Sequence, residues 1–401
     1  MLAATFSADT PLAKRYVRYI ETANTLLAQY DGKQPFAAYL KKYFAAHKKH
    51  GGTDRKSIAL LCYGYFRLGK MISALTPALQ WQAVILLYPP AAPIASVLLP
   101  EKIVQHLTDS VEQKILYLQE RGTLGLYSIF SFSPPLSEGI DNHAFQISHL
   151  QQPKLFLRIR KGKDALVEEK LNRANIAFEK VGAHALALTN ATSVDTILEL
   201  DKEAVVQDIS SQQIASYFEL IPVKSFHSFS VWDCCAASGG KSILAWDVLP
   251  HFSLTVSDVR ESILNNLVNR FAKADIQPYK KQVIDLTQHQ STDKQYQLII
   301  ADVPCSGSGT WGRTPEYLLH FQEQALELYT SRQEKILAQV LPALAPGGYL
   351  LYITCSVFRC ENEDRVNWLL SKYPLRLIKA GLITGYTKGA DTLFAALLQL
   401  Q

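Results

Sequence analysis

In residues 206–401, apolar runs stop on a polar residue again and again, with helical segments between them. The runs close near Asp233, Asp258, Asp285, Asp302 and Thr354. This alternation is the rhythm of a doubly wound α/β fold built on a parallel sheet. In such open sheets the ligand crevice lies outside the carboxyl ends of the strands. The chemistry should therefore be carried by the residues that end these runs and by the turns after them.

The sequence upstream has a different character. Lys154-Leu155-Phe156-Leu157-Arg158-Ile159-Arg160 alternates as a strand. A helix at 165–174, strands around 177–181 and 185–189, a second short helix at 193–200 and a strand at 204–207 follow. The order βαββαβ is that of a small ferredoxin-like module. Residues before about 145 read as helical. Tyr16, Ile20, Ala23 and Leu27 recur at helical spacing, as do Ile58, Leu61, Tyr65 and Leu68. Asp54 is placed to cap a helix and Gly69 to end it. Residues 88–100 read as a proline-rich connector, helix returns over 101–120, and residues 131–135, with Pro134-Pro135, mark a boundary. The expected division is a helical domain at 1–145, a small α+β module at 146–205 and a Rossmann-like domain at 206–401.

Some classes are disfavoured at once. The most apolar stretch, residues 81–100, is interrupted by Pro89, Pro90 and Pro93, so it is not a membrane span. Six cysteines show no zinc spacing and no paired framework. They read as thiols in a reducing cytoplasm, no metal is expected, and residues 1–14 lack a secretory pattern. Positive charge is concentrated locally. Residues 1–60 hold ten Lys/Arg against four Asp/Glu, and Arg158, Arg160, Lys161 and Lys163 cluster mid-chain. Such clusters are usually solvated surface. The functional reading is a track for phosphates.

The first turn of the C-terminal domain runs Cys235, Ala236, Ala237, Ser238, Gly239, Gly240, Lys241 between a strand and a helix start. Small residues there let backbone approach a ligand. The phosphate-loop and dinucleotide spacings are both missing. Asp258 ends the next run, where an acid can accept from both hydroxyls of a ribose. Asp285 is placed to line an adenine or the rim. An adenosine cofactor without an essential pyrophosphate fits, and S-adenosylmethionine is one.

Cys305 and Cys355 follow the fourth and fifth runs. A cysteine is by default a small buried hydrophobe, and Cys62, Cys234 and Cys360 take that reading. The shared location of Cys305 and Cys355 argues otherwise. Carbon 5 of a pyrimidine is a poor nucleophile until a thiolate adds to carbon 6. A second thiolate can take the carbon-5 proton, and Asp302, as an acid or as an orienting group, can serve the base.

These stretches resemble the Fmu/Sun (RsmB–NOP2) family of S-adenosylmethionine-dependent RNA cytosine-5 methyltransferases. The likeness rests on Cys235-Ala-Ala-Ser-Gly-Gly-Lys241, Asp302-Val-Pro-Cys-Ser-Gly-Ser-Gly-Thr310 with Arg313-Thr314-Pro315-Glu316, Gln333-Glu-Lys-Ile-Leu337, and Pro346-Gly-Gly-Tyr-Leu-Leu-Tyr-Ile-Thr-Cys-Ser356. It implies Cys355 as nucleophile and Cys305 as helper in release. Asp302 would contact cofactor and base, and residues 235–241 with Asp258 and Asp285 would bind the cofactor. It also implies a NusB-like RNA-binding start and RNA as partner, ribosomal RNA before transfer RNA. Arg158, Arg160, Lys161, Lys163 and Arg313 are the expected RNA contacts, and no obligate protein partner is evident.

Three departures stand out. Ser238 replaces the family's proline, which would loosen the cofactor turn. Asp391-Thr-Leu-Phe394 blurs the last strand. Trp311-Gly312 would reshape the pocket. Rival readings are a methyltransferase acting on an exocyclic nitrogen, a cytosine methyltransferase using Cys305 as nucleophile, and a non-catalytic RNA-binding assembly factor. The first lacks its usual aromatic after the Asp302 strand, and Thr354-Cys355-Ser356 disfavours the second. Retention of both cysteines with Asp302 and the cofactor turn disfavours the third.

Overall fold

The computed structural model describes residues 6, 10–88, 91–120, 129, 133–288 and 294–401. Pro89, Pro90, Ser131 and Phe132 lie outside them. The chain forms two compact units, one of Met1–Ser133, Asp141–Gln152 and Trp311–Gln322, the other of Pro134–Ile140, Pro153–Thr310 and Glu323–Gln401.

The first unit is helical. Its longer helices are Pro11–Gln29, Phe36–Ala46, Gly52–Arg67, Pro77–Leu87 and Val111–Glu120. The first buries Val17, Ile20, Ala23 and Leu26, one stripe at helical spacing. Residues 91–100 are not a connector, because Ala92–Leu98 is helical with proline inside its first turn, where the ring is tolerated. Neither this helix nor any other described one is long and apolar enough to cross a membrane. The expected cap also shifts. Gly51 occupies the N-cap, and Asp54, two residues inside the helix, accepts from the Gly51 N–H at 2.9 Å. Arg67 is buried, and its guanidinium donates to the carbonyls of His149, Gln151 and Gly312 at 2.8–2.9 Å. Segment 311–322 thus belongs to this unit's core. Trp311 is buried against Phe321, and Glu316 accepts from the Phe36 N–H, so Trp311-Gly312 packs the helical unit.

The second unit contains two sheets. The small one comprises β1 (Leu155–Ile159), β2 (Glu179–Gly182), β3 (Ala185–Leu188) and β4 (Ala204–Val206), antiparallel in the order β2-β3-β1-β4. The helix Asp164–Arg173 sends Val167 and Leu171 into its core. The expected helix at 193–200 is absent. A single turn bonded from Leu198 N–H to Val194 carbonyl puts the same two apolar side chains into that core.

The large sheet comprises β5 (Ser230–Asp233), β6 (Ser253–Asp258), β7 (Tyr279–Val283), β8 (Tyr296–Asp302), β9 (Leu344–Thr354), β10 (Leu375–Ile383) and β11 (Leu393–Leu400), in the order β10-β11-β9-β8-β5-β6-β7. Strands β5 to β9 are parallel, and β11 runs antiparallel between β9 and β10. Order reverses at β5, so the crevice opens above β5 and β8. Alternate residues serve opposite faces. Val231, Ile300, Leu351 and Ile353 pack on Ile243, Leu267 and Phe271. Trp232, Ile299, Leu350 and Tyr352 pack on Ile336, Leu337 and Leu369. Each such burial stabilises by about 1.5–3 kcal/mol. The last strand is not blurred, because its run Leu393–Leu398 is buried on both sides between two partners. Four of the five expected strand ends fall on the named residue. The exception is Asp285, two residues beyond β7.

Candidate active site

The β5 turn is held by its own backbone. Gly239 takes a left-handed φ of +83°, and a side chain there would strike the Phe271 ring. Gly240 opens the helix Gly240–Val248, and a Cβ on it would meet no atom within 4 Å, so the backbone faces open space. The Ala237 N–H donates to Asp258 Oδ2 at 3.0 Å, which ties the turn to the end of β6. Asp258 Oδ1 accepts from the Arg260 N–H at 2.9 Å. Ser238 does not loosen the turn. Its carbonyl and hydroxyl both accept from Arg270, at 3.0 and 3.2 Å, and Asp201 grips the same guanidinium at 2.7 Å. A glycine cradle against open space, an acid at the second strand end and a helix N-terminus fit an adenosine-containing cofactor. Asp285 stands half-exposed beyond β7, its carboxylate accepting from Thr287 N–H and Oγ1, and these bonds hold its pKa below the usual carboxylate range.

Lys241 and Asp302 form an ion pair at 2.8 Å. Burial opposes the lysine's charge, but Asp302 outweighs it and holds the ammonium above its ordinary value, aided by the Cys355 sulfur. The pairing makes Asp302 an acceptor, so of its two expected roles the geometry favours orienting a base. Asp233 ends β5, and its sequence context shows only that place in the strand. It is fully buried, accepts from Ser242 Oγ at 2.6 Å through one oxygen and has no partner on the other. Burial pushes its pKa up to about 7.

Strands β8 and β9 are parallel neighbours, with Asp302 opposite Ile353. The turns after them bring Cys305 Sγ to 3.2 Å from Cys355 Sγ, and the Cys355 N–H points at Cys305 Sγ. Both thiols are half-buried. The hydrogen bond to Cys355, then burial, then the charge of Cys355 hold the Cys305 thiol well above its ordinary value. These causes favour the protonated form of Cys305.

The residue that ties these turns together, Glu361, was not singled out. It has no exposed surface and accepts four hydrogen bonds, from Ser306 N–H (2.9 Å), Ser306 Oγ (2.5 Å), Gln333 Nε2 (3.1 Å) and Ser356 Oγ (2.6 Å). Asn362 donates to the Ser356 carbonyl at 2.8 Å and accepts from Thr354 Oγ1. The only sequence signal was Cys360-Glu361-Asn362-Glu363, a polar run just after an active-site turn.

The expected RNA contacts separate. Arg158 and Arg160 are not free for phosphates. Arg158 is buried, donating to Asp247 at 2.5 Å and Gln207 at 2.7 Å, and Arg160 donates to Asp247 at 2.5 Å and to the Ala274 carbonyl. They join the small module to the helix Gly240–Val248. Lys161 is exposed and Lys163 half-exposed. Arg313, half-exposed, lies in the segment that packs with the helical unit.

Fold and site together define a Rossmann-like methyltransferase domain. Residues 223–392 match the family model described as 16S rRNA methyltransferase RsmB/F. S-adenosylmethionine is the cofactor of such a domain. Ribosomal RNA small subunit methyltransferase B of Xylella fastidiosa is 31% identical over 172 residues, 42% of this chain and 39% of that protein. The Xanthomonas campestris protein of the same name is 29% identical over 211 residues, 50% and 47% of the two chains. The chain thus spans less than half the length of these curated relatives. Among solved structures, a methyltransferase homologue from Pyrococcus horikoshii superposes with a TM-score of 0.55 at 19% identity, over 66% of this chain and 92% of that one, a likeness of fold.

Proposed function

We propose that the protein methylates carbon 5 of a cytosine in RNA, ribosomal RNA in first place, and that Cys355 forms the covalent bond to the base. The observation that carries this reading is the pair of thiols 3.2 Å apart at the ends of two neighbouring strands, beside the Lys241–Asp302 pair. Residues 235–241 with Asp258 and Asp285 would hold the cofactor. S-adenosylmethionine, when bound, supplies an electrophilic methyl on a sulfonium.

Cys355 adds as thiolate to carbon 6, and the ring's 5,6 electron pair moves to carbon 5, which becomes the nucleophile for that methyl. Bond formation removes the charge on Cys355, which is one of the causes holding the proton on Cys305. Cys305 then ionises more readily, releasing its own proton to solvent, and as thiolate accepts the carbon-5 proton. The electrons of that C–H bond restore the double bond, and Cys355 leaves as thiolate. Asp302 orients the ring edge. The target base must be single-stranded or flipped, because carbon 6 is covered in a stacked helix.

The helical unit supports an RNA-binding role. A cleft of about 870 Å³ there is lined by Arg15, Arg18, Lys49, Tyr43, His47 and His50, among others. Tyr43 and His47 are stacked at 4.0 Å, and cations beside stacking rings are the means of holding single strands. A cytoplasmic location belongs to the same proposal.

The test is to replace each cysteine and incubate with methyl donor and RNA. Cys355→Ala should abolish transfer. Cys305→Ala should accumulate a covalent protein–RNA species, because elimination stalls. Normal methylation by Cys355→Ala would refute the assignment. Bisulfite mapping of RNA from cells lacking the protein identifies the substrate, and a lost signal in transfer RNA alone would replace the ribosomal reading.

A further inference from the structure

We propose that Glu361 is the positioning residue of the two-cysteine site, setting the sulfurs of Cys305 and Cys355 against each other through Ser306 and Ser356. This deepens the cytosine-5 reading and rests on it for its catalytic meaning.

The geometry is specific. Ser306 follows Cys305 and Ser356 follows Cys355, and one carboxylate oxygen of Glu361 accepts from both hydroxyls, at 2.5 and 2.6 Å. The other oxygen accepts from the Ser306 N–H and from Gln333, whose amide also reaches the Pro304 carbonyl at 3.1 Å. The residues before and after Cys305, and the one after Cys355, are thus fixed from a single anchor. The Tyr352 hydroxyl donates to the Glu361 carbonyl at 2.6 Å and fixes the anchor to β9. Two of the four donors are N–H groups, which can only donate, so the site calls for an acceptor, and a carboxylate accepts at every position.

A buried carboxylate is a costly clamp, and burial raises the Glu361 pKa while the bonds from Ser306, Ser356 and Gln333 oppose the rise. A neutral amide could hold the same serines by turning their hydroxyls. The groups that bear on Cys305 are Cys355 and Glu361, with the Tyr352 phenol beside them. Cys360 and Arg365 lie near the same cluster, and Lys241, paired with Asp302, faces Cys355. Lys241 therefore bears on Cys355, and Glu361, hydrogen-bonded to both turns, bears on Cys305. Its charge is one of the causes that raise the Cys305 thiol and favour its protonated form. Glu361 acts through Cys305 and touches no substrate atom.

The experiment uses the full chain and needs no RNA. Iodoacetamide labelling of Cys305 and Cys355 is followed separately by peptide mass spectrometry from pH 6 to 10, for wild type, Glu361→Gln and Glu361→Asp. In Glu361→Gln the midpoint for Cys305 should fall by about half a unit or more, that is, about threefold more thiolate at pH values below it. In Glu361→Asp, which keeps the charge and shortens the reach, the midpoint should stay near wild type while the two cysteines lose their different labelling rates. Cys62, in the helical unit, reports unfolding, since it labels only if burial is lost. A Glu361→Gln midpoint equal to wild type in folded protein overturns the proposal. If the midpoint moves but wild type methylates no RNA, the positioning role stands and the cytosine-5 reading falls.

Discussion

Gly309→Ala should disable the site by a steric route that leaves every proposed catalytic atom in the chain. Gly309 lies in the turn after Cys305, its N–H donating to the Cys355 carbonyl at 2.8 Å and its carbonyl accepting from the Thr392 N–H at 2.9 Å. A Cβ at this position would lie 1.9 Å from the Thr392 carbonyl oxygen and 3.1 Å from the Cys355 carbonyl oxygen. Contacts under 3.0 Å are essentially never seen, so the backbone must open by at least about 1.1 Å. Thr392 cannot yield alone, because β11 begins at the next residue and is bonded on both sides. The turn carrying Cys305 must move instead. Forcing a methyl into packed structure costs about 1–3 kcal/mol, and a misplacement of about 1 Å at a reacting group costs about 100-fold in rate. Urea unfolding followed by tryptophan fluorescence should show the loss of stability, and methyl transfer to unmodified ribosomal RNA should fall about 100-fold in kcat/KM. Wild-type values of both would refute the claim that β11 and the two cysteine turns form one rigid assembly.

Other perturbations separate the roles of neighbouring groups. Gly240→Ala meets open space in the protein, so it should unfold like wild type yet bind S-adenosylmethionine measurably more weakly by calorimetry, since the proposed site gives that space to the cofactor. Asp247→Ala removes the carboxylate shared by buried Arg158 and half-buried Arg160 and should cost about 3–5 kcal/mol, whereas Arg158→Ala leaves Asp247 paired with Arg160 and should cost about 1.5–3 kcal/mol. Neither should alter RNA affinity in filter binding of folded protein, while Lys161→Ala and Lys163→Ala should each lower affinity and the salt slope by about one. In the helical unit, burial lowers the pKa of His149 to about 4, from the usual 6.5. The unfolded chain therefore binds the extra proton between these values, so stability present above pH 6.5 is lost as pH falls towards 4, by about 3 kcal/mol at most. Urea titrations at pH 7 and 5 should show this loss, and His149→Gln should remove most of it.

The parts of the fold that were legible are those in which one residue's neighbours in sequence are also its environment. The apolar runs that became β5, β6, β8 and β9 are buried on both faces, so their hydrophobicity, length and stopping points were all visible. β11 was doubted because a variant tetrapeptide stood at its start, yet its six apolar residues after Thr392 carried the signal. Residues 193–200 misled for a different reason. Val194 and Leu198 sit four apart as in a helix, but one turn satisfies that spacing, and the turns on either side end it. Arg158 and Arg160 could not be read correctly from sequence at all. Their partner Asp247 is about ninety residues away, and nothing local distinguishes a buried arginine from a phosphate-binding one. Ser238 is the same case, since the guanidinium that replaces proline's stiffness comes from Arg270 and is itself held by Asp201.

The choice between the two cysteines follows from the charges around them rather than from either turn. Each thiol follows a strand and each is half-buried, so position alone left Cys305 open as the nucleophile. The electrostatics are not symmetric. Lys241 answers to Cys355 and is fixed by Asp302, while Glu361, hydrogen-bonded to both turns, bears on the Cys305 thiol. A thiolate is favoured next to a cation and disfavoured next to an anion. Cys305, held up by its hydrogen bond to Cys355, by burial and by the charges of Cys355 and Glu361, is therefore the poorer nucleophile at neutral pH. Removing the charge at one end tests this directly. Lys241→Met should slow alkylation of Cys355 at neutral pH and leave Cys305 the slower of the two by a smaller margin, whereas an unchanged Cys355 rate would mean that Lys241 serves the cofactor alone.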